Sequence, residues 1–211
     1  MKYIIVNQRF GIGDVIFSMT AIRALNALVT IWPVLPEYVD GLREAYGGPG
    51  SGFIFVDFNL FKIDYSRKDR YFVDGAEVIP LAHQDIPLID CMKNKYAYFG
   101  MDWHQWKTEA MWKRNEAKEK SLIEYLGIKD GEQFYLTNVN WGCHSSAGFK
   151  SGTNQANMDM PFPSDHIRRI RLDFVTGYSL FDWAAVIEKA TYIYSVSTSL
   201  LYLLELLTLQ A

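Results

Sequence analysis

The opening stretch KYIIVNQRFGIGDVIFSMTAIRAL, residues 2–25, constrains the fold more than any other part of the chain. YIIVN (3–7) is apolar without alternation, as expected of a strand covered on both faces. Two glycines, Gly11 and Gly13, follow at once, and then a helical repeat of Val15, Met19, Ile22 and Leu25. A strand feeding a helix through a short glycine turn calls for a second strand beside the first, and the sequence repeats the pattern. VTIWPVL, FIFVDF and AEVIPL read as strands, with PEYVDGLREAYG as a helix carrying Pro36 in its first turn. An aromatic, irregular stretch precedes AEVIPL. A helical stretch with DCMKNKYAYFG follows, then a charged helix, RNEAKEKSLIEYLGI, with Gly127 at its C-cap. EQFYLTNVN, IRRIRLDFV and TYIYSVS are further strands. SLFDWAAVIEKA, capped by Ser179, and TSLLYLLELL are the last helices. Such alternation predicts α/β architecture with parallel sheets covered by helices. The order βαβαβ, a bridge, then βαβα predicts two similar lobes, 1–130 and 131–211, with the second incomplete. GGPGSG (47–52) reads as a flexible, shortened connection without chemistry.

Composition excludes several classes. With 49% hydrophobic and 21% charged residues among 211, the chain can bury a core. A net charge of −3 without a long basic run argues against non-specific nucleic-acid binding. Cys91 and Cys143 form no CxxC and read as reduced thiols of a cytosolic protein or as one disulfide. The chain opens directly into a strand, without a signal-like segment. The apolar SLLYLLELLTLQA is too short to span a bilayer and contains Glu205. The expectation is a cytoplasmic protein without a transmembrane segment.

Asp14 is the unusual residue of the first turn. A dinucleotide fingerprint needs a third glycine where Ile16 stands, and the ribose-binding acid about 20 residues on is absent. A carboxylate there repels a pyrophosphate but sits favourably at a helix N-terminus, where it suits a neutral hydroxyl. The alternative is an N-cap, in which case Asn would serve as well and Asp14→Asn would leave stability almost unchanged.

A second constellation lies near the C-terminus. Ser197, Thr198 and Ser199 end a strand and open a helix, presenting hydroxyls and backbone N–H groups as an anion seat or simply as caps. Gly177, Tyr178 and Ser179 form a turn suited to bordering a nucleoside. The polar loop from Trp141 to Pro163 fails as a P-loop, because five residues separate Gly142 from Gly148 and Phe149 displaces the lysine. No Asp-x-Asp pair occurs, and His83, His104, His144 and His166 lack metal spacing. Trp103, Trp106 and Trp112 suit either a sugar face or, more often, packing.

Taken in this order, GIGDVIFSMTAIRAL and GYSLFDWAAVIEKATYIYSVSTSLLYLLELL resemble the N-terminal signature and donor-binding segment of the ADP-heptose:lipopolysaccharide heptosyltransferases. MKNKYAYFGMDW and NVNWG are similar to phage-type members of that group. The resemblance covers some 45 residues at the two ends and implies a GT-B-like pair of Rossmann-like lobes with an active cleft between them. It implies Asp14 as general base on an acceptor hydroxyl, with Gly11 and Gly13 shaping the acceptor-side turn. It places Ser145, Ser146 and Lys150 at the donor diphosphate, together with Gly177, Tyr178, Ser179, Ser197, Thr198 and Ser199. The family's Asp and His at the donor strand end are replaced by residues of the Ser197–Ser199 run and Tyr202, so the resemblance implies hexosyl or heptosyl transfer and leaves the sugar and the nucleotide open. The implied reaction is metal-independent, inverting sugar transfer from a nucleotide-diphosphate donor to a glycan or other hydroxyl acceptor, without a cofactor. The competing expectation is a non-catalytic nucleotide-sugar or glycan-binding module.

Overall fold

Tyr3–Asn7 forms strand β1, and the glycine turn delivers the chain into helix α1, Ile12–Arg23. The structure, a computed structural model, describes residues 2–8, 11–81, 88–138, 140–141, 154–155, 166–173, 175–195 and 199–207. The chain divides into two compact units, Met1–Lys113 and Arg114–Ala211. The charged helix after Lys113 belongs to the second unit, so the division falls before that helix and not near 130.

In the first unit β2 (Val29–Val34), β3 (Phe53–Asp57), β4 (Tyr71–Val73) and β5 (Ala76–Pro80) join β1 in the order β3-β2-β1-β5-β4. The pairs β1–β2, β2–β3 and β1–β5 are parallel, as expected, but β4 runs antiparallel to β5. The sheet is therefore mixed, and the expectation of a wholly parallel one is corrected. The cause is a two-residue hairpin: Asp74 (φ 47°) and Gly75 (φ 81°) both take the left-handed conformation that matches strand twist. Asp-Gly between YFV and AEV is the sequence signal for β4 that the irregular reading overlooked. Gly75→Ala should cost about 1 kcal/mol, because a Cβ at positive φ is strained, and a urea titration of the single variant checks it.

Strand alternation turns Ile4, Val6 and Gln8 toward one face of the sheet and Ile5 and Asn7 toward the other. On the Ile5 face no helix connects β3 to β4. Phe61, Ile63, Tyr71 and Val73 pack there against Ile5, Ala76 and Val78. The aromatic stretch thus does a covering helix's work. Its backbone is held by side-chain turns, with Asp57 accepting from the Asn59 amide at 2.8 Å and Asp64 from the Ser66 amide at 2.9 Å.

The repeat of Val15, Met19, Ile22 and Leu25 marks only one helix face, yet helix α1 is buried almost all round. Helix α3 (Leu88–Ala97) and the 3-10 turn Trp103–Lys107 close over it. The Tyr96 hydroxyl donates to the Phe17 carbonyl at 2.6 Å, and Thr20 donates to the Trp106 carbonyl at 2.6 Å. Phe17 stacks on Trp106 at 5.4 Å. Trp106 and Trp112 are buried packing residues, while Trp103 lies against His104 with the Lys93 ammonium over its ring. Helix α2 (Val39–Tyr46) flanks edge strand β3, and Arg43 donates to the Phe55 carbonyl at 2.9 Å. That contact occupies a main-chain acceptor on an edge otherwise open to another strand.

In the second unit β6 (Phe134–Asn138), β9 (Arg168–Arg171) and β10 (Tyr192–Ser195) form a parallel sheet in the order β10-β6-β9. The two-residue strands β7 (Asn140–Trp141) and β8 (Asn154–Gln155) pair antiparallel. Helices α4 (Glu116–Tyr125), α5 (Ala184–Lys189) and α6 (Ser199–Leu207) complete the described elements. Arg114 ties α4 to α5: its guanidinium is bidentate to buried Glu119 and also to Glu188, with distances of 2.6 and 2.8 Å to the latter. These hydrogen bonds, those to Glu119 first, hold the guanidinium firmly in its charged form. Among the described residues no helix is long and apolar enough to cross a membrane.

Candidate functional site

The first unit has a topological switch point. The chain leaves β1 toward β2 and β3 on one side and returns to β5 on the other, so β1 and β5 are parallel neighbours whose following segments diverge. The crevice beyond the C-terminal ends of such strands is the general ligand position in open α/β sheets. Here it receives Gln8 after β1, the first turn of α1, and α3 after β5.

Asp14 lies in that first turn, but it is not the cap. Gly11 is the N-cap, in extended conformation with no side-chain cap bond, and Gly13 is already inside the helix. The cap reading of Asp14 is therefore corrected. Its carboxylate turns to α3, where Oδ1 accepts from the Lys95 ammonium. Lys95 is 3% exposed, whereas the Asp14 side chain is 26% exposed, so the pair has a dry end and a wet end. Asp14 Oδ2 has no partner among the described residues.

Beside this pair lies Ser18, four residues after Asp14 and on the same helix face. Its hydroxyl donates to the Gln8 side-chain oxygen at 3.3 Å. The Gln8 backbone is fixed as well, its carbonyl accepting from the Trp32 indole at 3.3 Å and its N–H donating to Val6 at 3.0 Å. Among the described residues Gln8 Nε2 is buried without a partner, and so is Asn7 Oδ1 on the opposite face, where Asn7 Nδ2 donates to the Asp64 carbonyl at 3.2 Å. Sequence reasoning found Asp14 and Gly11 but missed Lys95, Ser18, Gln8 and Asn7. One signal was legible: Asn7-Gln8 ends an otherwise apolar strand with two polar side chains.

The donor-side residues fare differently. Ser145, Ser146, Lys150, Ser197 and Thr198 lie outside the described residues. Ser199 opens α6 and is half-buried. Gly177 takes a positive φ of 90° in the turn before the 3-10 segment Leu180–Trp183. Tyr178 shares a 2.7 Å hydrogen bond with Ser121 of α4. Ser179 is the expected cap, and Asp182 accepts from both its N–H (2.7 Å) and its hydroxyl (2.9 Å). Tyr178 and Ser179 thus spend these polar groups on structure. At the C-terminal edge of this sheet, the Asn138 side-chain amide donates to the Ser195 hydroxyl at 3.1 Å. No group of side chains suited to a metal ion occurs among the described residues.

Comparison with protein-family models, with curated proteins and with solved structures finds no match to this chain.

Proposed function

We propose that the chain is a metal-independent glycosyltransferase with two Rossmann-like, GT-B-like lobes, in which Asp14 takes the proton of an acceptor hydroxyl. One observation carries the reading: a carboxylate at the switch-point edge is anchored through Oδ1 by a buried ammonium and offers Oδ2. A general base must be fixed in position and still reachable, and this arrangement provides both. The donor, a nucleotide-diphosphate sugar, is assigned to the second unit. There the N-terminus of α6 and the hydroxyls of Ser197, Thr198 and Ser199 supply donors for a diphosphate leaving group.

A second reading, a non-catalytic glycan- or nucleotide-sugar-binding module, draws on the same ion pair. A carboxylate already neutralised by an ammonium is suited to holding a hydroxyl without deprotonating it.

Release of nucleoside diphosphate from UDP-, GDP- and ADP-sugars, measured per folded molecule, separates the two. The transferase reading expects turnover that falls about 100-fold in Asp14→Asn. It also expects nucleoside diphosphates to raise the melting temperature more than the nucleosides do. Thr198→Val should weaken diphosphate binding by about 1–2 kcal/mol. Binding without turnover would leave the module; neither binding nor turnover would remove both readings.

A further inference from the structure

The side-chain amide of Gln8 is only half employed in the described structure. Its side chain is fully buried, its oxygen end already accepts from Ser18, and the nitrogen end meets no acceptor. Exchanging the amide's two ends would give Ser18 a donor and leave the oxygen orphaned instead, so one end is unsatisfied in either orientation. Burying such a group is costly, and orphaned buried polar atoms are rare in folded proteins. The oxygen end is accounted for by the buried Ser18 hydroxyl, which methionine would leave without its acceptor; the nitrogen end is not accounted for. A polar side chain retained there points to something that completes it.

The position of the amide says what. Ser18 and Asp14 are one turn apart on α1, with Cβ atoms of such pairs about 5–6 Å apart. The Gln8 amide therefore lies on the same side of the helix as the open oxygen of Asp14. One group donates and the other accepts. Asp14 and Lys95 cancel in charge, so the pair offers no net positive charge to a phosphate. A hydroxyl both donates and accepts, so two neighbouring ring hydroxyls can meet one acceptor and one donor on the same side of the helix.

We infer that Gln8 is a specificity-determining residue of the site at Asp14, and that its ligand is a neutral, polyhydroxylated ring whose vicinal hydroxyls bridge Asp14 Oδ2 and the Gln8 amide. The inference rests on the acceptor-side reading of Asp14. Asn7 faces the opposite side of the sheet and is not part of this subsite.

The test is a titration of the full chain with myo-inositol, following the 15N side-chain amide signals by NMR, with cyclohexanol and inorganic phosphate as counter-probes. Myo-inositol should shift, saturably, the amide pair that disappears in Gln8→Met; cyclohexanol and phosphate should not. Gln8→Met should weaken myo-inositol binding about tenfold. Its melting midpoint should stay within about 3 °C of the parent. Gln8→Met combined with Ser18→Ala, which removes the hydroxyl that would otherwise lose its acceptor, gives the same reading if the Met variant does not fold. No saturable shift, a shift by phosphate instead, or unchanged affinity in the variants would overturn the assignment. Saturable, Gln8-dependent binding without sugar release from any nucleotide sugar would keep the subsite and remove the transferase reading. Transfer to a polyol that Gln8→Met leaves untouched would do the reverse.

Discussion

Asp14→Asn is expected to destabilise the first unit by about 3 kcal/mol, because it leaves the Lys95 ammonium buried without its counter-charge. Water reaches the Asp14 end of the pair but not the Lys95 end. The two single variants should therefore differ. Lys95→Met strands only a partly solvated carboxylate and should cost about 1 kcal/mol. The double variant Asp14→Asn, Lys95→Met should recover most of the loss, since an apolar side chain of similar length replaces the buried charge. Chemical denaturation of the four proteins gives the cycle. Equal small losses in both single variants would mean that the pair is solvated and contributes little. The double variant also sharpens the catalytic test: it restores stability without restoring a base, so transfer that stays lost in it is chemical in origin.

The second large effect is expected at Arg114. Glu119 is buried in α4, and the Arg114 guanidinium meets both of its oxygens while reaching Glu188 on α5. Arg114→Met should cost the second unit about 3 kcal/mol, the usual consequence of stranding a buried carboxylate. Glu188→Gln removes only the exposed arm of the clamp and should cost less than about 1 kcal/mol. Arg114→Lys keeps the charge but not the planar fork that serves two carboxylates at once, and should fall between them. Urea midpoints at constant m-value order the three variants, and a Glu188→Gln loss as large as that of Arg114→Met would contradict the assignment.

Both predictions turn on charges that local sequence gave no reason to bury. Lys95 stands in DCMKNKYAYFG as one of two lysines two residues apart, and nothing local separates them. In the structure Lys93 lies over the Trp103 ring and Lys95 goes under α3 to Asp14. Glu119 looked like one of several solvated charges on a surface helix. Asp14 itself was legible as the odd residue of its turn, but its role as cap was not decided by spacing. Helix α1 starts at Ile12, which moves the cap to Gly11 and frees the carboxylate for α3.

Periodicity and turn chemistry are properties of neighbouring residues, and the sequence alone was sufficient for what depends on them. The apolar runs 3–7, 29–34, 53–57 and 76–80 became strands, the helical repeats became helices, and Ser179 capped where its hydroxyl and Asp182 were spaced to do so. Even the missed strand β4 carried its signal in Asp74-Gly75. Pairing across the chain is another matter. The pairing of Asp14 with Lys95 across a sequence separation of 81, and the choice of β5 rather than β3 as second neighbour of β1, are set by how the faces of the sheet are covered. Covering α1 from outside with α3 and the Trp103–Lys107 turn excludes water from Lys95, and a buried ammonium must then find a carboxylate. Gln8 is buried with half of its amide unmet among the described residues, a fact no window of sequence contains, because burial is decided by elements that arrive from elsewhere in the chain.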